Sequence, residues 1–273
     1  VEKSPVIAQL MEQGLLDEAK ALSGKFEAFV IKMVENPLPG VKSALVIAGS
    51  DKRGTVYGIY DVSEQIGVSP YYWWADVTPK QQSELLLDGG VKTEGEPSVK
   101  YRGIFINDER NLTEWSAQFA SEETPGTPNA GTYEKVFELL LRLRLNTLWP
   151  AMHNYSEAFN LREDENGVPI NAKLADSYGI IMGASHCEML LRNNEGEWNR
   201  WANANSGKYD AAGKPVYDYT VNPKALEAYW RERVEKNKDF EGIYNIGMRG
   251  IHDSGMTFQG LSNPTLAQKI AVL

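Results

Sequence analysis

The sequence predicts an α/β protein, in which a small α/β domain precedes a series of alternating strands and helices. Three observations carry this reading. Four short apolar runs, opening at Tyr101, Leu143, Tyr178 and Phe240, each end in amides, histidines or carboxylates. Stretches with helical spacing of apolar residues separate these runs. Earlier, Leu45 to Gly67 reads as a strand, a polar glycine loop and a helix. A boundary falls near residues 92–98, where Glu94, Gly95, Glu96 and Pro97 read as a linker. The expected domains are therefore 1–95 and 96–273.

The first domain opens with helical spacing from Ser4 to Leu22, interrupted at Gly14. Phe26 to Val34 alternates as a strand, Asn36 to Gly40 is a turn, and Leu45 to Ala48 is a short buried strand. The loop Gly49 to Gly54 then leads into a helix over Tyr57 to Ile66, closed by Gly67. This loop has neither the GxGxxG nor the P-loop pattern, which argues against a nucleotide site. Lys52 and Arg53 lie at the helix start, where the dipole disfavours cations, and an anion held there would relieve that cost. Ser69 to Asp76 holds four aromatics; Trp73 and Trp74 cannot both face inward on a regular strand, so one is expected to wedge between domains.

In the second domain, Gly103 to Ile106 is too short and too uniformly apolar for an amphipathic helix, and a strand buried on both faces is expected. Asn107, Asp108 and Glu109 sit where it leaves the core. Loop material with Trp115 and Phe119 follows. Tyr133, Val136, Phe137, Leu140 and Leu141 share one helix face, with Thr132 as the candidate cap. The second strand, Asn146 to Trp149, is ended by Pro150 and leads to His153. A helix over Asn171 to Tyr178 precedes the third run, which ends in His186 and Glu188. A helix over Pro223 to Val234, capped by Asn222, precedes the fourth, which ends in Arg249, His252 and Asp253. Leu261 to Leu273 reads as the next helix. Right-handed crossovers would set the four strands parallel and side by side. A β/α-barrel displays its chemistry on such strand ends, yet four strands do not close one, so an open sheet and half a barrel both remain.

Composition narrows the function. A net charge of -9 without a basic stripe excludes nucleic-acid binding. Hydrophobic content of 42% with 24% charged residues is that of a globular chain, not a membrane-embedded one. One cysteine excludes an internal disulfide. Val1 to Leu10 has no apolar core of signal-peptide length, although the chain does not start with methionine. Asp108, Glu109, Glu188 and Asp253 are carboxylates at strand ends. Arg249 is a bidentate partner for a carboxylate such as Asp253, and a cation beside Asp253 would keep it ionised, as a base requires. His153, His186 and His252 lack any short ligand spacing, so they are read as hydrogen-bonding groups; no metal and no cofactor are expected. On an extended segment His186 and Cys187 would point to opposite sides, which leaves Cys187 as packing.

The stretches IAGSDKRGTVYGIYDVSEQIGVSPYYWWAD, YRGIFINDE, LNTLWPAM, YGIIMGASHCEML and GMRGIHDSGM, in this order, resemble glycoside hydrolase family 115. The resemblance runs from about Phe26 to Asp253 or beyond. It implies a small α/β domain followed by the first half of a (β/α)8 TIM-type barrel. It also implies an α-glucuronidase that removes α-1,2-linked glucuronic acid, or its 4-O-methyl ether, from glucuronoxylan, with inversion. Asp253 and Arg249 lie in the stretch that best matches the family's catalytic region. Lys52, Arg53, Asn107, Asp108, Glu109, Trp149, His153, His186, Glu188 and His252 are the expected substrate contacts. Family members are several times longer, so the resemblance implies a fragment lacking the general acid and inactive alone. It further implies a missing C-terminal half as partner, a homodimer at full length, and a secreted or periplasmic setting. The competing expectations are a catalytically inactive carbohydrate-binding or scaffold fragment, and a hexosaminidase with substrate-assisted chemistry. The latter needs an Asp-Glu pair late in the barrel, whereas Asp108-Glu109 follows the first strand.

Overall fold

A computed structural model describes residues 3–107, 110–120, 128–152, 159–209, 216–247 and 249–272. The chain forms two compact units: Val1–Arg102 with Phe137–Asn146, and Gly103–Val136 with Thr147–Leu273. No described helix is long and apolar enough to cross a membrane.

The first unit begins with α1 (Pro5–Glu12), whose cap Ser4 accepts from the Ile7 amide, and a 3-10 helix at Asp17–Leu22. β1 (Phe29–Leu38) and β2 (Val41–Gly49) form an antiparallel hairpin in the register Phe29↔Gly49 to Glu35↔Ser43. The expected turn at residues 36–40 is therefore largely absorbed into longer strands, with Asn36 and Gly40 taking the left-handed angles that reverse the chain. Then come α2 (Lys52–Gln65) and β3 (Lys92–Glu94), which pairs antiparallel with β1 to give the order β2-β1-β3. Alternation sorts the residues of β1. Ala28, Val30 and Val34 pack with Leu10, Leu16, Ala19 and Leu22 in one buried cluster. Phe29 faces α2, whose Gly58 lies so close that a Cβ would fall 2.5 Å from Ile47 and 3.3 Å from Phe29.

The loop before α2 is tied to β1. Ser50 N donates to Ala28 O at 2.9 Å, and Asp51 caps the helix by accepting from Gly54 N at 2.8 Å while its other oxygen accepts from Glu27 N at 2.9 Å. Buried Glu27 is the hub of this unit. It pairs with Arg53 at 2.7 Å and Arg102 at 2.5 Å, and accepts from Asn146 Nδ2 at 2.7 Å. Asp61 pairs likewise with Lys92 and Arg144, each at 2.6 Å.

The second unit holds β4 (Gly103–Phe105), α3 (Arg110–Phe119), α4 (Ala130–Arg142, shared with the first unit), β5 (Thr147–Trp149), α5 (Ile170–Tyr178) and β6 (Ile181–Met182). α6 (Glu197–Ala204), α7 (Pro223–Asn237) and α8 (Leu266–Val272) complete it. β4, β5 and β6 form a parallel sheet in that order, with Gly103↔Thr147 and Thr147↔Ile181 in register. The sheet is open, and no closed barrel is present among the described residues. The fourth expected strand is reduced to one parallel bridge, Met182↔Gly242, supported by Ile243 N donating to Met182 O at 2.8 Å. Gly242 and Gly247 flank that short apolar stretch and do not favour longer pairing.

Three further expectations are corrected. β4 is an edge strand, so Ile104 and Phe105 are 38% and 48% exposed instead of buried on both faces. The region of Trp115 and Phe119 is helix α3, not loop: Leu112, Trp115 and Phe119 recur at helical spacing, and the two rings meet at 5.4 Å. α4 is capped by Asn129, whose Oδ1 accepts from Thr132 N at 3.1 Å; Thr132 lies inside the helix. The apolar face of α4 is as the spacing predicts, with Tyr133, Val136, Phe137, Leu140 and Leu141 all buried. α6 and α7 pack Trp198, Trp201, Leu226 and Tyr229 into a second cluster. Beside it, buried Glu197 binds Arg192, and accepts from Arg233 Nη2 at 2.8 Å.

Candidate active site

β6 ends at Met182, and the chain beyond it is not extended. Residues 186–187 form a turn, closed by Glu188 N donating to Ser185 O at 3.2 Å. A turn removes the alternation that would have separated neighbouring side chains. His186 and Cys187 consequently reach the same carboxylate: His186 Nε2 lies 2.6 Å from Asp253 Oδ1, and Cys187 Sγ donates to that oxygen at 3.4 Å. The expectation that the two point apart, with Cys187 mere packing, is corrected by this geometry.

Two loops carry these groups, and they are fastened together. Asn245 Nδ2 donates to Ser185 O at 2.8 Å, Leu190 N donates to Asn245 O at 2.9 Å, and Asn194 Nδ2 donates to Cys187 O at 2.7 Å. Glu188 is buried and accepts from the Ser185 hydroxyl, so it braces the turn from inside. Leu190, Leu191 and His252 hold left-handed backbone angles, with φ of 53°, 61° and 54°, a strain that the surrounding bonds maintain. Gly250 allows the second loop to close, since a Cβ there would lie 2.2 Å from Gly255 O.

Asp253 is itself 65% exposed at the side chain. Its carboxyl is held below the ordinary value of 3.8, first by the His186 hydrogen bond, then by the Cys187 thiol, with His252 adding a smaller attraction. Arg249 Nη2 donates to the Asp253 backbone oxygen at 2.9 Å and stands 3.5 Å from Oδ1. Arg249 is thus chiefly a backbone anchor, and the donors from residues 186 and 187 lead in keeping the carboxylate ionised. Its Nε is enclosed with no hydrogen-bond acceptor among the described residues. His252 Nδ1 lies 3.6 Å from Asp253 Oδ2. The Cys187 thiol is pushed up to about 12 by burial and by the bond to Asp253, so it acts as a neutral donor, not a nucleophile.

Trp149 is 41% exposed at the end of β5 and meets Phe105 edge-on at 6.1 Å. It lies across Gly183, where a Cβ would come within 2.6 Å of the indole. Asn107 is exposed just after β4. Lys52 and Arg53 belong to the first unit, where Arg53 is engaged by Glu27 and Lys52 lines a cavity of about 600 Å³ with Lys25, Ser50 and Thr55. Asp108, Glu109 and His153 lie outside the described residues. The residues that sequence reasoning missed are Ser185, Asn194 and Asn245. A small polar residue just before the His-Cys pair was the available signal for the turn.

Comparison with known proteins places this geometry in a family. The family model for glycosyl hydrolase family 115 matches residues 94–272. The comparison with curated proteins finds no match. Among solved structures, the chain is similar to "A novel family GH115 4-O-Methyl-alpha-glucuronidase, BtGH115A, with specificity for decorated arabinogalactans", at 41% identity and a TM-score of 0.76. The alignment covers 97% of this chain and 32% of that one, so the chain spans about a third of that relative's length. The chain belongs to glycosyl hydrolase family 115.

Proposed function

We propose that this chain supplies the water-activating side of an inverting α-glucuronidase, acting on α-1,2-linked glucuronic acid or its 4-O-methyl ether in glucuronoxylan. The observation that carries the reading is the convergence of His186, Cys187 and Arg249 on Asp253. Inversion needs a carboxylate that stays ionised and orients a water on the face opposite the leaving oxygen. Donors that favour the charged form of Asp253 meet the first need, and the anchored backbone meets the second. With Oδ1 approached by His186, Cys187 and Arg249, Oδ2 is the oxygen left to take the water's proton, near His252. Arg249 and the exposed histidines offer hydrogen bonds to a uronate or to sugar hydroxyls, and Trp149 with Phe105 offers an apolar surface for a sugar face. The proposal assigns the general acid, which must sit in an apolar enclosure to stay protonated, to a part of the enzyme beyond this chain. It follows that the 273-residue chain alone does not turn over substrate.

In an active protein containing this chain, Asp253→Ala should lower turnover on glucuronoxylan by about two to four orders of magnitude with folding retained. Turnover within about threefold of the parent would remove Asp253 from the chemistry. Likeness to BtGH115A supports a second substrate, decorated arabinogalactan. Parallel assays of released glucuronic acid on the two polymers decide between them by relative kcat/KM.

A further inference from the structure

We propose that His186, Cys187 and Asp253 also form a binding site for a thiophilic divalent cation of the zinc class. The three donors are chemically mixed, one nitrogen, one sulfur and one oxygen, and all lie within 4.8 Å of one another. A tetrahedral zinc ion takes nitrogen and oxygen at about 2.0 Å and sulfur at about 2.3 Å. Those lengths set donor separations of about 3.3 Å for nitrogen to oxygen and about 3.5 Å for sulfur to either. The sulfur–oxygen separation is already 3.4 Å, and the nitrogen–oxygen pair, at 2.6 Å, needs to open by less than an ångström. The positions are preset on both loops, because Asn194 holds the Cys187 carbonyl, Asn245 holds that of Ser185, and Arg249 holds that of Asp253.

Binding breaks the Cys187 S–H bond, releases its proton to solvent and forms a sulfur–metal bond, with no change of oxidation state. The Nε2 proton that His186 donates to Asp253 is displaced, the neutral ring carrying its one proton on Nδ1 instead, so that Nε2 presents its lone pair. Thiolate and carboxylate then supply two negative charges against the two positive charges of the ion. Arg249 can stay on the backbone oxygen of Asp253, so its charge need not be expelled. The fourth position remains open to water. A thiolate in the donor set selects zinc-like ions over magnesium and calcium. The inference goes beyond the glycosidase reading and does not depend on it. If Asp253 is also the base, an ion there blocks turnover, and inhibition by zinc follows from the two together.

Cys187 is the single cysteine of the chain, so any thiolate-to-cobalt absorption reports this site alone. The 273-residue chain is titrated with Co²⁺ at neutral pH in a phosphine reductant, with binding read from the near-ultraviolet charge-transfer band. The expected result is a band that saturates at one ion per chain and is bleached by Zn²⁺. Cys187→Ser should lose the band with an unchanged circular dichroism spectrum. His186→Ala and Asp253→Asn, both at exposed side chains, should each weaken cobalt binding by at least about tenfold. Absence of the band under excess cobalt, or parental affinity in either of the last two variants, overturns the three-ligand site. None of these readouts involves sugar hydrolysis, so they stand or fall separately from the Asp253→Ala assay.

Discussion

Glu197 is a buried carboxylate of the second unit that binds two arginines. Burial alone would raise its carboxyl, yet Arg233 and Arg192 overcome that and hold it below the ordinary glutamate value of 4.5. Replacing it with glutamine takes the nearest counter-charge from two buried guanidinium groups, leaving Arg192 with Glu232 at 3.5 Å and Arg233 with Glu163 at 4.0 Å. Glu197→Gln should therefore destabilise the fold by about 3 to 5 kcal/mol, read by denaturant unfolding. The pH dependence has a definite sign. A depressed carboxyl contributes its stability above the unfolded value of 4.5 and loses it as pH falls through the lower folded value. The parent should thus lose unfolding free energy on acidification below that point, and the variant should show a flatter limb. A variant as stable as the parent would show that the arginines find other partners. The Arg233 partner was not legible in the sequence, because it lies 36 residues from Glu197 and meets it only through the folding of α7. Asp253 and Arg249 were legible as neighbours, since they stand four positions apart. The contribution of Cys187 was hidden by one assumption, that the chain stays extended past β6.

Helices were read more faithfully than strands, and the reason is physical. A helix face repeats its apolar signal over several turns, as in α4 and α7, whereas β4, β5 and β6 are only two or three residues long. Runs that short give no period to count, so their burial was inferred from composition, and composition cannot tell an edge strand from a central one. α3 was missed because polar residues on its exposed side break up the apolar spacing. The cap of α2 provides the test at this level. Asp51 serves two backbone donors, Gly54 N in the helix and Glu27 N in the adjoining segment. Asp51→Ala should cost about 1 to 2 kcal/mol in thermal or denaturant unfolding, near the upper end for a lost cap. Asp51→Asn, which keeps one acceptor, should recover part of that. Equal losses in the two variants would mean that the charge, not the acceptor, carries the effect.

At the level of the whole molecule, the open parallel sheet exposes the apolar edge that β4 forms. Ile104 and Phe105 stand beside Trp149, and Ile246 on the loop after the fourth run is 78% exposed. A strand edge with uncovered apolar side chains is a template for pairing with another chain. The 273-residue protein is expected to self-associate, with a sedimentation coefficient that rises with concentration, and Phe105→Lys should shift it toward monomer. A parent that sediments as a monomer at all concentrations would show the edge to be harmless. The strand–helix alternation was legible in the sequence, but how far the sheet would close was not, since closure depends on strands that no local pattern reveals.

The makeup of the first unit bears on the order in which the protein can be built. Glu27 receives Arg102 and Asn146, and Asp61 receives Arg144, yet the segment Phe137–Asn146 is separated from the rest of that unit by residues 103–136. On the ribosome, Val1–Arg102 emerges with both carboxylates short of partners, and it waits for the whole of α3 and α4 to be synthesised. The first unit therefore cannot finish until part of the second has been made, and a nascent chain stalled before Asn146 holds an incompletely paired Glu27 for chaperones to shelter.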